Sequence, residues 1–313
     1  MSEQHLEFTV EDSGERLDKL LLAQLEGHAL NSGDGFSRVQ VQTFIKEGRV
    51  TVNGTPAKPG IKLRGGETVR LTLPPREQAA EVQPEQIDLT VIYEDDDLAV
   101  IDKPAGLVVH PAVGNESGTL VNAILSRWPK ISQMSDTEGR RGIVHRLDKD
   151  TSGLMVIALN DAAQASLMRQ FQARTVEKIY LALLERTPKT LTGRIEAPIA
   201  RDPRQRKRMA VLREGKPAIT EFAVLDDNFK EGQALVEFNL LTGRTHQIRV
   251  HAAFIGTPVV GDTIYGFRKQ RIRLKRNFLH AARLSFDHPR TGERMTLESP
   301  LPPVLAHLME KLR

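Results

Sequence analysis

No cysteine occurs in the 313 residues, which excludes disulfides, thiolate metal sites and every mechanism with a thiol nucleophile. Aromatic residues are scarce as well, with one tryptophan and three tyrosines, so a tyrosine inside an aliphatic strand stands out. No apolar run approaches the roughly 20 residues that a membrane-spanning helix needs. The acidic stretch from Met1 to Asp12 has no apolar signal core, so a protein of the cytoplasm with no membrane partner is the expectation. There is no Gly-x-x-x-x-Gly-Lys-Ser/Thr phosphate loop, no glycine-rich dinucleotide fingerprint and no His-Glu-x-x-His. Chemistry is therefore left to carboxylates, histidines, arginines and tyrosines, with neither metal nor cofactor expected.

What is present is unevenly spread charge. The net charge is only +4, yet residues 1–37 hold eight acidic and two basic side chains while 38–76 hold eight basic and two acidic. Arg201 to Arg213 carries six basic residues against Asp202, and Arg268 to Arg276 carries six in nine. A single basic run is as well explained by a solvated loop. Three in one chain point to a phosphate-rich partner. The candidate phosphate contacts are Arg38, Lys46 and Arg49 in the first cluster, Arg204, Arg206, Lys207 and Arg208 in the second, and Arg271, Arg273 and Lys275 in the third.

The chain divides into a small module over 1–75, a linker over 76–88 marked by Pro74-Pro75 and acidic polar residues, and a large domain over 89–313. In the first, Leu17, Leu20, Leu21 and Leu25 recur at helical spacing. A second helix is expected from Ser37 as N-cap to Gly48, and Asn53-Gly54 marks a hairpin turn. In the second, strands are predicted over 98–102, 154–159, 179–184, 219–225, 234–241, 279–286 and 294–298. Helices are predicted over 120–128, 162–174, 247–255 and 303–312. Strand-to-strand runs outnumber strand–helix alternation, so the fold class is α+β with a mixed, mainly antiparallel sheet and flanking helices.

The densest chemistry lies in His145-Arg146-Leu147-Asp148-Lys149-Asp150-Thr151-Ser152-Gly153, followed directly by the uncharged run Leu154 to Leu159. Charge crowded against a buried strand is costly unless it pairs or reacts, which makes Asp148 the first candidate for a catalytic group. Asp150, Thr151 and Ser152 fit an Asx-type turn. In Thr242 to His251, a helix capped by Thr245 puts His246 and Arg249 on one face, with Arg249 a candidate counter-ion for Asp148. Tyr180 interrupts an aliphatic strand. It either packs in the core or stacks on a base and handles a proton.

Taken in order, Asp102-Lys103-Pro104-Ala105-Gly106, His145 to Asp148 with Thr151-Ser152-Gly153, Lys178 to Ala182, Gly243 to His251 and Leu279-His280-Ala281 resemble pseudouridine synthases of the RluA type. The segment 15–75 resembles the S4 RNA-binding module, and the combination is similar to the large-subunit ribosomal RNA branch, the D type. Gly33-Asp34-Gly35 lengthens the loop between its helices.

This resemblance implies an S4-like α/β-hairpin module ahead of a cofactor-free catalytic domain that isomerises uridines, with Asp148, Tyr180 and Arg249 as catalytic residues. It implies that Arg146 fills the gap left by a flipped-out nucleotide, and that the basic stretches close on phosphate. The partner is then 23S ribosomal RNA, at a hairpin loop, naked or within an assembling subunit, and the protein a monomer. Two other readings stand beside it. One is a non-catalytic RNA-binding assembly factor. The other is a Mg²⁺-dependent phosphotransferase using the Asp-x-Asp-Thr of 148–151, which would place its motif after a buried strand rather than before one.

Overall fold

The computed structural model describes residues 5–11, 14–27, 36, 38–73, 82–112, 114–135, 141–205 and 208–313, with Val39 by its backbone alone. Ser37, Gly33 to Gly35, Pro74, Pro75, Arg206 and Lys207 lie outside the described residues. Two compact units form, one over 1–81 with 136–139 and one over 82–135 with 140–313.

In the smaller unit the leucine spacing produces α1 (Leu17–Gly27), and the basic cluster begins on α2 (Arg38–Lys46). Strands β1 (His5–Thr9), β2 (Val50–Val52), β3 (Thr55–Pro56) and β4 (Thr68–Thr72) form an antiparallel sheet in the order β1-β4-β2-β3. Asn53 and Gly54 both take positive φ, as the tight turn from β2 to β3 requires. Leu17, Leu21, Leu25, Val41, Ile45, Val50, Val69 and Leu71 form the core. β1 was not anticipated, because its alternation, with Leu6 buried between exposed neighbours, sits in an acidic segment.

The larger unit contains β5 (Thr90–Glu94), β6 (Leu98–Lys103), α3 (Leu120–Arg127), a 3-10 turn at Pro129–Gln133, β7 (Ser152–Ala158) and α4 (Asp161–Ala173). It continues through β8 (Glu177–Leu184), β9 (Thr192–Glu196), β10 (Ile199–Arg201), β11 (Met209–Val211), β12 (Ile219–Asp226) and β13 (Ala234–Leu240). It ends with α5 (Gln247–Phe254), β14 (Leu279–Asp287), β15 (Arg294–Glu298) and α6 (Pro303–Leu312). The main sheet runs β5-β6-β7-β14-β8-β13-β12-β9, with β15 on β14. Only β7 and β14 pair in parallel among the described residues, so the fold is a mixed, mainly antiparallel α+β.

β6 shows why its run is apolar on both sides. Ala99 and Ile101 pack with Leu120, Val121 and Ile124 of α3, whereas Leu98 and Val100 pack with Ala163 and Leu167 of α4. Val82 to Asp88, the expected end of the linker, belongs to the larger unit. There the Glu85 N–H donates to the Asn122 carbonyl, and the Asn122 amide donates to the Gln83 carbonyl at 2.7 Å. The basic run 201–213 contains a short hairpin, β10 with β11, rather than loop alone.

One row of the sheet positions the chemistry. Lys103 pairs with Gly153, Gly153 with Ala281, Ala281 with Tyr180, Tyr180 with Phe238 and Phe238 with Phe222. The loop carrying Asp148 enters β7 at this row, so Tyr180 stands two strands away from the point where that loop ends. Gly153 makes the approach possible: its φ is +117°, and a Cβ there would overlap the Ala281 backbone.

Candidate active site

A cavity of about 640 Å³ opens beside this row, lined among others by Arg146, Asp148, Phe171, Tyr180, His246, Ile248, Arg249 and Leu279. Its size and its mix of apolar walls with a few polar groups are those of a small-ligand site. Three elements converge on Asp148. The loop before β7 carries it, and the Asp148 carbonyl accepts the Thr151 N–H at 3.1 Å in a backbone turn. Among the described residues no side-chain hydrogen bond forms the expected Asx-type turn. Ser152 instead bonds His280 and Arg276 at 2.9 Å each, while the Thr151 hydroxyl is buried without a hydrogen-bond partner among the described residues.

Arg249 donates from Nη1 to Asp148 Oδ2 at 3.1 Å and grips Asp262 through Nε at 2.6 Å and Nη2 at 3.0 Å. Burial alone would lower its pKa. The hydrogen bonds and charge of Asp262, then those of Asp148, outweigh that and hold it above the ordinary value. Asp262 is locked in turn by the Ile264 and Tyr265 N–H groups. The guanidinium is thus a fixed cation with one arm reserved for Asp148. Asp148 Oδ1 makes no hydrogen bond among the described residues.

His246 begins α5 with φ 58° and ψ 21°, a left-handed conformation that costs a non-glycine residue on the order of 1 kcal/mol. Thr245, the expected cap, is exposed. Gln247 does the bracing, accepting from the Arg244 N–H at 2.9 Å and the Thr242 hydroxyl at 2.8 Å. The result is an imidazole set between Tyr265 and Asp148. The Met209 N–H donates to Tyr265 Oη at 2.8 Å, and Oη stands 2.8 Å from His246 Nδ1. With that N–H already donated to it, the phenol donates to Nδ1. The ring proton then sits on Nε2, 3.9 Å from Asp148 Oδ2. Burial lowers the His246 pKa and the Asp148 charge opposes that shift.

Tyr180 is 7% exposed and its hydroxyl makes no hydrogen bond among the described residues. Burial, and then the negative charge of Asp148, push its pKa up, so the phenol is neutral. His145 lies under the cavity with one edge reaching it. It stacks on Phe171, and Nε2 accepts the Val156 N–H at 3.0 Å. Burial and then Lys178 hold its pKa down to about 3, so the ring is neutral with its proton on Nδ1. Lys103, wholly buried, donates to the carbonyls of Pro104, Leu107 and Lys149, and so ties the loop after β6 to the residue following Asp148. Burial, then Arg276, lower its pKa to about 8.

Residues 97–254 match the family model described as RNA pseudouridylate synthase, and residues 31–69 match the S4 domain. An RNA pseudouridine synthase of Bacillus subtilis (strain 168) is 45% identical over 303 residues, covering 97% of this chain and 96% of that protein. The chain belongs to the RNA pseudouridine synthase family. Ribosomal large subunit pseudouridine synthase D of Neisseria meningitidis (serogroup A / serotype 4A) is 44% identical, covering 97% of this chain and 80% of that protein. The human RNA pseudouridylate synthase domain containing 1 superposes with a TM-score of 0.57 at 29% identity, covering 74% of this chain and 97% of that one.

The synthase brings the three expected catalytic residues, Asp148, Tyr180 and Arg249, to one cavity, with exposed Arg146 on its wall. The expected phosphate contacts fare unevenly. Lys46 and Arg204 are exposed, as are Arg273 and Lys275. Arg38 is engaged with Asp18 at 2.9 Å and Arg49 with Glu47 at 2.9 Å. Arg271 donates to the Glu231 carbonyl at 3.3 Å and does not line this cavity. Arg208 lies over the Tyr265 ring, 5.3 Å from its centroid. Arg276, at the end of the third basic run, points inward to Ser152 and the Leu279 carbonyl.

The expected sites omitted Asp262 and Tyr265. Gly261-Asp262 directly after Val259-Val260 was the available signal: a carboxylate abutting an apolar pair needs a cation. The only group with metal-ligand spacing among the described residues is Asp95, Asp97 and His288. It is engaged with Tyr93 and Arg290 and shares no residue with the cavity, and neither Asp148 nor Asp150 belongs to it. The Mg²⁺-dependent phosphotransferase reading has no support in this geometry, and the family match replaces it.

Proposed function

We propose that the protein converts uridine to pseudouridine in large-subunit ribosomal RNA, with Asp148 as the catalytic carboxylate. The observation that carries this reading is Arg249, clamped by Asp262 and extending its remaining arm to Asp148 at 3.1 Å on the wall of a cavity that also holds Tyr180. The isomerisation breaks N1–C1′ and forms C5–C1′. The proton on C5 leaves, N1 gains one, and there is no net redox change. A carboxylate paired with and aimed by a fixed guanidinium, with Oδ1 unengaged, supplies the oxygen that assists glycosidic cleavage.

Tyr180 and Leu279 form a wall against which the freed uracil stays stacked while it turns. The neutral phenol offers a hydrogen bond without adding charge beside Asp148. Arg146 occupies the gap left by the extruded nucleotide, whose extrusion costs a few kcal/mol and least in a single-stranded loop. The hairpin loop as target and the monomeric state are part of the same reading. The names of the relatives that act on the large ribosomal subunit support the RNA class. The test is pseudouridine mapping of ribosomal RNA from cells with and without this protein. Loss of modification at discrete large-subunit uridines, restored by purified protein in vitro, is expected. An unchanged map overturns the assignment.

A further inference from the structure

Behind Asp148 lies a second cavity of about 240 Å³, which shares Asp148, His246 and Arg249 with the first. Its remaining lining is polar almost throughout and includes Thr263, Lys275, Arg276 and Asn277. Residues 259–262 and 276–278 run side by side to build it. The Phe278 N–H donates to the Val260 carbonyl at 2.8 Å, and Gly261, with φ +76°, lies where a Cβ would overlap the Arg276 carbonyl. Both Arg276 and Asn277 carry unsatisfied polar capacity.

Asn277 is 4% exposed, yet its side chain makes no hydrogen bond among the described residues. Oδ1 is sealed from solvent, leaving Nδ2 the polar end open to the cavity. Arg276 is largely buried and engages only neutral oxygens: the Asn277 and Leu279 carbonyls and the Ser152 hydroxyl. Its Nη1 makes no hydrogen bond, and it has no ion-pair partner among the described residues. Burial lowers its pKa, and Asp150 opposes that only in part. A desolvated cation with no ion-pair partner among the described residues is costly unless an anion completes it, and Asn277 Nδ2 beside it is a further donor for that anion.

The lining holds four cations against three carboxylates, one positive charge in excess. Arg276 Nη1, Asn277 Nδ2 and Lys275 Nζ are unengaged donors among the described residues, which suits a phosphate oxygen. From this geometry we propose that the smaller cavity holds the backbone phosphate next to the reacting uridine, gripped by Arg276 Nη1 and Asn277 Nδ2. The inference deepens the isomerase reading and rests on it. The first cavity takes the nucleoside, the second fixes the strand, and Asp148 stands between them.

The test uses the full chain and a large-subunit ribosomal RNA fragment with 5-tritiated uridine. Single uncharged methylphosphonates replace each linkage around the target. With wild-type protein, one linkage adjacent to the target should raise KM about tenfold while kcat changes less than threefold. With Asn277→Leu the penalty at that linkage should shrink to within twofold. The near-isosteric Asn277→Asp, which keeps the packing should the leucine variant fail to fold, should invert the preference so that the neutral linkage binds better. Tritium release with no sensitive adjacent linkage, or with a penalty unchanged in both variants, overturns the phosphate site alone. No tritium release by wild-type protein from any fragment overturns the isomerase reading, and this site with it.

Discussion

Asp18 and Asp148 are both held by arginine, and they are held to opposite effect. Asp18, in the smaller unit, has a fully buried side chain and accepts from Arg16, Arg38 and Gln42 at 2.9 to 3.1 Å through both oxygens. The Arg16 hydrogen bond, against the opposing effect of burial, drives its pKa far below the usual carboxylate range. Asp148 is 18% exposed, takes one arginine arm on Oδ2 and keeps Oδ1 unengaged at a cavity. Saturation makes the first a structural brace. Incomplete saturation, with the spare capacity of Arg249 consumed by Asp262, leaves the second able to react.

The sharpest way to break this comparison is to remove each charge in turn. Asp148→Asn should lower kcat by at least about 10³-fold, more than 4 kcal/mol in the barrier, with unchanged stability, since a near-isosteric amide lacks the anionic oxygen. Asp18→Asn should do the reverse. We expect about 2 kcal/mol of lost stability in urea unfolding, below the range for fully buried pairs because Arg16 and Arg38 are half exposed. Turnover per folded molecule should stay within twofold.

A third prediction concerns His145, whose folded pKa of about 3 lies below its unfolded value. Between pH 6.5 and 3 the unfolded chain takes up a proton that the folded ring refuses, so stability falls as pH falls through that window. Its share between pH 7 and 5 is about 2 kcal/mol. His145→Gln, which retains an acceptor for the Val156 N–H and does not titrate, should flatten the slope by that amount. The smallest effect is expected at Tyr180→Phe. Stacking survives and only the hydroxyl is lost, so kcat should drop about tenfold, about 1.4 kcal/mol, with little change in KM.

Much of this was legible in the sequence. Continuous apolar runs located the central strands, and the clash of charge with the buried run after residue 153 pointed to Asp148. Helical spacing in 242–251 singled out Arg249. The rest depended on contacts distant in the chain. Nothing local tells that Asp262 will occupy two nitrogens of Arg249, or that Tyr265 will orient His246. Thr245 looked like a cap because Ser and Thr usually are one. The left-handed His246 displaced it, held by Gln247 and Tyr265. The hairpin β10–β11 was hidden because its two short apolar stretches flank a run of arginines, and Arg38 looked free because its partner, Asp18, lies twenty residues earlier.

The most direct trial of the central claim is single-turnover tritium release from 5-tritiated-uridine ribosomal RNA by Asp148→Asn protein, alongside its binding to the same RNA. Binding within threefold of wild type with release reduced at least about 10³-fold is the predicted result. Release at the wild-type rate would contradict the role assigned to Asp148.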